Sequence, residues 1–79
     1  MRRAAMIDVY SAPNCQPCRM TCRALDRRGI AYRVLDAAEH AEYLRSLGHQ
    51  SAPVVVTQGG QHWSGFRPDL IAQLQEGQA

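Results

Sequence analysis

Met6-Ile7-Asp8-Val9-Tyr10-Ser11-Ala12-Pro13-Asn14-Cys15-Gln16-Pro17-Cys18 decides how this chain is read. Met6 to Tyr10 is β-branched and aromatic and reads as a strand; Ser-Ala-Pro-Asn is the turn that ends it. Two cysteines two residues apart then open a helical pattern. A dithiol at that place can close into a disulfide and reopen. A thiol at a helix start faces outward-pointing N–H groups and the positive end of the dipole, which favour thiolate and make a nucleophile.

If Cys15 is the N-cap, Gln16, Pro17 and Cys18 are the first three helical residues. An N-cap side chain accepts from the second or third of these. Pro17 has no N–H, so the Cys18 amide is the donor left for the Cys15 sulfur. That bond, the dipole and nearby Arg19 all lower the pKa expected for Cys15. Cys18, one turn inside, is expected to be buried, to stay protonated, and to resolve a mixed disulfide formed on Cys15.

Working outward, Cys15 to Arg28 reads as helix, with Cys18, Thr21, Leu25 and Arg28 on one stripe. Gly29 supplies the residue past its end. Ala31 to Leu35 is a second strand, so the first half makes a βαβ unit. Asp36, with Glu39 three residues on, forms a capping box for a helix that buries Ala37, Ala41, Leu44 and Leu47 and stops at Gly48. Pro53 precedes a strand, Val54 to Thr57, where proline at the first position costs no ladder bond. Gln58-Gly59-Gly60-Gln61 is a hairpin turn and His62 to Ser64 the returning strand. Arg67 caps a last helix with Pro68 at its first position, Phe66 stapled onto Ile71, and Leu70, Ile71 and Leu74 facing inward. The tail from Glu76 is expected to fray. The order β-α-β-α-β-β-α predicts an α/β domain spanning residues 1–79, a four-stranded mixed sheet flanked by three helices on both faces.

The net charge of +2 is too small to indicate nucleic acid. It is unevenly spread: residues 1–33 carry +5 and residues 34–79 carry −3. Four arginines follow the cysteines on the first helix, either as a solvated face or as a field that favours thiolate and an acidic partner. Three cysteines cannot form a fully paired framework. The apolar core of an export signal is missing after Arg2-Arg3, and no stretch approaches the ~18 apolar residues of a membrane span. A reducing, cytoplasmic setting and a soluble protein are expected.

Other residues admit two readings. One Cys-x-x-Cys with Cys22 and scattered histidines is a poor zinc set, and no metal is expected. Cys22 reads as a small core filler or as an auxiliary thiol open to glutathionylation or dimer formation. His40, His49 and His62 read as isolated surface residues. Trp63 and Phe66 read as core or as the floor of a groove, and Ala52-Pro53 as a candidate cis peptide.

The stretch Tyr10 to Cys18 resembles the active-site loop of glutaredoxins. Ser51-Ala52-Pro53-Val54-Val55-Val56 resembles their loop with a cis-proline ahead of the third strand. Trp63-Ser64-Gly65-Phe66-Arg67-Pro68-Asp69-Leu70-Ile71 is similar to the Trp-Ser-Gly-Phe-Arg-Pro signature of the NrdH-redoxins, and the resemblance runs from Met6 to Leu74. It implies a thioredoxin fold and dithiol chemistry, with no bound cofactor beyond the redox-active Cys15–Cys18 disulfide. It also implies electron donation to the large subunit of class Ib ribonucleotide reductase. Re-reduction would come from thioredoxin reductase and hence indirectly from NADPH.

Glutaredoxins place a lysine where this chain has Ala12, and an acid after the Gly-Gly turn where it has Gln61 to Gly65. Both losses would leave a glutathione charge unpaired. Many NrdH-redoxins have Gln before the second cysteine; here it is Pro17, as in thioredoxins. The resemblance makes Cys15 the nucleophile and Cys18 the resolving thiol. Ala12, Pro13, Gln16, Pro17, Ala52, Pro53, Trp63, Ser64, Gly65, Phe66 and Arg67 then form or support the partner-binding surface. The chain is expected to be a monomer. The competing reading is a glutaredoxin or mycoredoxin served by a low-molecular-weight thiol; a metal- or protein-binding module is the non-enzymatic one.

Overall fold

A computed structural model describes residues 7–74. Its strands are β1 (Ile7–Ser11), β2 (Tyr32–Asp36), β3 (Val54–Val56) and β4 (His62–Ser64). Its helices are α1 (Gln16–Arg27), α2 (Ala41–Ser46) and α3 (Pro68–Ala72), with a 3-10 turn at Ala37–His40 leading into α2. The sheet order is β2-β1-β3-β4. β1 runs parallel to β2 and antiparallel to β3, and β3 is antiparallel to β4. This is the mixed four-stranded sheet the element order demands.

Strand alternation sorts the core onto the two faces of the sheet. Ile7, Val9, Val55 and Trp63 point one way and pack with Leu25, Ile30 and Ile71. Tyr10 and Val54 point the other way and pack with Leu44, Leu35, Ala37 and Val56. Asp8 lies beside Arg33 across the β1–β2 pairing, and their side chains join at 2.7 Å.

Most elements begin or end within a residue of their expected bounds. On α1, Cys18, Thr21 and Leu25 are buried as the stripe requires, whereas Arg28 is the exposed C-cap. Gly29 takes φ +69°, the left-handed value that closes a helix. The second helix departs most from its sequence reading. Asp36 does cap, but its carboxylate accepts from the Ala38 amide at 2.9 Å and the first turn is 3-10. A tighter turn shifts the phase of every following side chain. Of the expected stripe only Leu44 is buried; Ala37 and Leu47 are half-buried and Ala41 faces solvent. Arg67 is the N-cap of α3, with Phe66 and Leu70 packed against the cluster that holds Ile71. The tail from Glu76 lies outside the described residues.

Candidate active site

The register Tyr10–Val54–Ser64 aligns the C-terminal end of β1 with the N-terminal end of β3 and the C-terminal end of β4. Three loops therefore emerge at one end of the sheet: Ala12 to Cys15, Ser51 to Pro53, and Gly65 to Arg67. They were separate stretches in the sequence, and pairing of three strands brings them together.

The first loop carries the chemistry. Cys15 and Cys18 are joined as a disulfide, with Cα atoms 5.2 Å apart. Cys15 is the N-cap of α1 in extended backbone, and the Cys18 amide donates to its sulfur at 3.2 Å. Pro17 occupies the position whose missing N–H leaves that amide as donor. When the bridge is opened, the same amide stabilises the Cys15 thiolate as a charge-assisted bond. Cys15 is half-buried and Cys18 is 2 % exposed, so the first sulfur is reachable and the second waits behind it.

Two supports of this loop are not evident from motif reading. Asn14 holds φ +56°, a left-handed value that asparagine tolerates better than other residues with a Cβ. The Pro-Asn dipeptide is the signal that could have pointed to it. Thr21 is fully buried, and its hydroxyl donates to the Pro17 carbonyl at 2.9 Å, which ties the first turn to the body of α1. A polar residue on an apolar stripe, four residues after a proline, is its signal. Arg19 is exposed and makes no side-chain bond to Cys15 among the described residues.

The second loop contains a cis peptide at Ala52–Pro53. The Pro53 ring is buried, so it supports the surface without forming much of it. Ala52 is half-buried, and no backbone hydrogen bond reaches it from another described residue. Gly65 of the third loop donates its amide to the Pro53 carbonyl at 2.8 Å from a left-handed backbone, φ +86°. Trp63 is buried in the core below, and its indole N–H has no acceptor among the described residues. Trp63 therefore serves as foundation and is no groove floor. Ser64, Gly65 and Phe66 are half-buried above it. Arg67 is exposed and grips Asp69 two residues on, which holds that carboxyl below its ordinary range.

Ala12, Pro13, Asn14, Gln16 and Pro17, which flank Cys15 in sequence, are exposed and uncharged. A cleft of about 460 Å³ adjoins them, with Ala12, Ala52, Ala37, Leu44 and Val54 in its walls and Arg45 as the charged residue of its lining. A half-buried sulfur at a helix start, a buried second sulfur bonded to it, and the unpaired backbone of Ala52 at the same end of the sheet suit thiol–disulfide exchange.

Comparison with known proteins agrees with this geometry. The glutaredoxin family model matches residues 7–63. The glutaredoxin-like protein NrdH of Escherichia coli K12 is 39% identical over 71 residues, covering 86% of each chain. The chain belongs to the glutaredoxin family, among its NrdH members. NrdH of Lactococcus lactis MG1363 is 35% identical over 72 residues, covering 87% of this chain and 99% of its own. In structure the chain is similar to NrdH-redoxin from Escherichia coli, a glutaredoxin-like protein with a thioredoxin-like activity profile. The TM-score is 0.81 at 38% identity, over 89% of this chain and 95% of that one. The fold is therefore the thioredoxin fold, and the protein is a dithiol oxidoreductase whose redox pair is Cys15–Cys18.

The rest of the molecule adds two findings. Cys22 is half-buried against the core, as a filler would be, and burial raises its thiol above the ordinary range. The histidines are not all isolated: His49 Nε2 and His62 Nδ1 lie 2.8 Å apart, and His40 sets its ring edge-on to Tyr10. The contact between His49 and His62 joins a loop to β4 across thirteen residues of sequence, which no local pattern reveals. No helix among the described residues is long and apolar enough to cross a membrane.

Proposed function

We propose that this NrdH-type redoxin carries electrons in the cytoplasm from thioredoxin reductase to the large subunit of class Ib ribonucleotide reductase. Thioredoxin reductase, a flavoprotein, draws them from NADPH. The observation that carries the proposal is the run Trp63-Ser64-Gly65-Phe66-Arg67-Pro68-Asp69 in a chain that lacks both charged anchors for glutathione. Ala12 and the acid-free segment from Gln61 to Gly65 leave the glutathione carboxylate and amine without partners, which a binding site tolerates poorly.

In this reading the Cys15 thiolate attacks one sulfur of the substrate disulfide and expels the other as a thiolate, which takes up a proton. Cys18 then loses its proton and attacks Cys15, releasing the second substrate thiol and closing the Cys15–Cys18 bridge. Two electrons have passed to the substrate. The backbone of Ala52 pairs with the incoming extended segment by strand-like hydrogen bonds. Ala12, Pro13, Gln16, Pro17 and Pro53 shape the uncharged surface it lies on, and Trp63, Ser64, Gly65, Phe66 and Arg67 hold the adjoining corner.

NADPH oxidation with a disulfide substrate tests this directly. Turnover with thioredoxin reductase, and none with glutathione plus glutathione reductase, is expected. Turnover only with glutathione or another low-molecular-weight thiol would overturn the proposal in favour of a glutaredoxin or mycoredoxin role.

A further inference from the structure

Arg19, Arg23 and Arg27 follow one another along α1 at four-residue spacing. At about 100° per residue they share one helix face, within an arc of about 80°. That face lies opposite the buried stripe of Cys18, Thr21 and Leu25, and all three arginines are exposed. Met20, 49 % exposed, borders them. The Arg19 amide donates to the Cys15 carbonyl at 3.3 Å, so the row starts one turn from the reacting sulfur. From there it runs about 12 Å along the helix.

Other arginines are occupied: Arg33 grips Asp8 and Arg67 grips Asp69. Arg19, Arg23 and Arg27 take part in no ion pair among the described residues. Asp26 stands beside the row, where its carboxylate accepts from the Tyr32 hydroxyl at 3.0 Å. It offsets one of the three charges and leaves the row positive.

We propose that Arg19, Arg23 and Arg27, with Met20 beside them, are the docking stripe for a carboxylate-bearing face of the folded reductase that returns electrons to the Cys15–Cys18 bridge. This rests on the proposed function, in which thioredoxin reductase is that partner. The place of the stripe selects it over the substrate. An extended segment paired with Ala52 lies across the ends of β1, β3 and β4 and leaves the side of α1 uncovered. A row reaching about 12 Å down α1 needs a partner with a broad, rigid surface. The residues flanking Cys15 are uncharged and cannot steer such a partner, whereas an adjoining positive row can. Guanidinium forks match carboxylates in shape, and an exposed methionine adds adaptable apolar contact. Three cations in a chain of net charge +2 are few for nucleic acid.

The test follows the oxidised full chain as a substrate of thioredoxin reductase. Between about 0.02 M and about 0.3 M salt its kcat/KM should fall about fivefold, with kcat little changed. Arg23→Glu with Arg27→Glu should lower kcat/KM about tenfold at the lower salt and remove the salt dependence. Arg23→Gln with Arg27→Gln should lie between. Arg19 stays in place, because its charge also acts on Cys15. Reduction by dithiothreitol should run at the same rate in all three chains, which reports an intact fold and bridge. In the unsubstituted chain, added reductase should broaden the resonances of Met20, Arg23 and Arg27, which needs no variant to fold. Turnover that neither salt nor substitution changes, or a spectrum undisturbed along that face, would overturn the stripe and leave the proposed function standing. No turnover with thioredoxin reductase would overturn both. A salt-sensitive complex with a duplex oligonucleotide, lost on charge reversal, beside unresponsive reductase kinetics would assign the stripe to nucleic acid and overturn the protein partner.

Discussion

The amide of Gly65 donates to the carbonyl of Pro53 at 2.8 Å, and Gly65 reaches it from φ +86°. A Cβ at Gly65 would meet no atom within 4 Å, so the requirement for glycine is conformational and not steric. Gly65→Ala is expected to cost about 1–2 kcal/mol, the penalty of a left-handed backbone for a residue with a Cβ. If the chain relieves that strain by abandoning the bond, the Pro53 carbonyl moves and Ala52 with it. Reduction of a protein disulfide should then fall several-fold while reduction of a small aromatic disulfide changes less. Urea denaturation and the two rates, measured together, check both parts.

In the proposed mechanism half-buried Cys15 acts first and Cys18, which is 2 % exposed, resolves. Cys15→Ser should reduce disulfide turnover to background. Cys18→Ser should let Cys15 attack once and stop, leaving a stable mixed disulfide that mass spectrometry detects. Normal turnover by Cys18→Ser would remove the dithiol mechanism.

Thr21 is buried, and its hydroxyl is bonded to the Pro17 carbonyl. Thr21→Val keeps the shape and removes the bond, so a loss of about 1 kcal/mol is expected. The Cys15–Cys18 turn should also loosen, and hydrogen exchange of the Cys18 and Arg19 amides should quicken. An unchanged denaturation midpoint with unchanged exchange would count against this brace.

Burial raises Cys22 above its ordinary 9.0, and burial with the bond to Asp26 raises Tyr32 above its ordinary 10.0. The folded chain therefore holds these protons to higher pH than the unfolded one. Stability should be undiminished below about pH 9 and fall progressively as pH rises through the unfolded values of Cys22 and then Tyr32. Urea midpoints at pH 7, 9 and 10.5, with the bridge closed, test the sign. Cys22→Ser with Tyr32→Phe should flatten the slope, leaving the share due to Tyr10, which burial also raises.

Burial is the largest cause of the raised Cys22 thiol. At pH 8 Cys22 should alkylate more slowly than free cysteine. Alkylation at the rate of the free thiol would show that burial does not govern its reactivity.

The active-site turn was legible from the sequence because its causes are local. Pro17 lacks an N–H, Cys18 is three residues from Cys15, and helix geometry leaves one donor for one sulfur. The same holds for Gly29, for Arg67 with Pro68, and for the valines of β3, whose identities act on their own backbone or on neighbours within a turn. The second helix was less legible. Asp36 and Glu39 resemble a capping box, yet a 3-10 first turn alters the phase, and Ala41 ends in solvent. That choice is made by packing of Leu44 against Tyr10 and Val54, which the stretch from Asp36 to Leu47 does not contain.

What the sequence determined by itself was therefore the dithiol at a helix start, the order of elements and the resemblance to the NrdH-redoxins. Only the tertiary structure decided that Trp63 is buried foundation, that Gly65 holds Pro53, and that His49 meets His62. Each of these joins segments ten or more residues apart or depends on which face a strand residue takes. Local backbone preferences act over a few residues, whereas these contacts exist only once the register of β1, β3 and β4 brings distant loops to the same place.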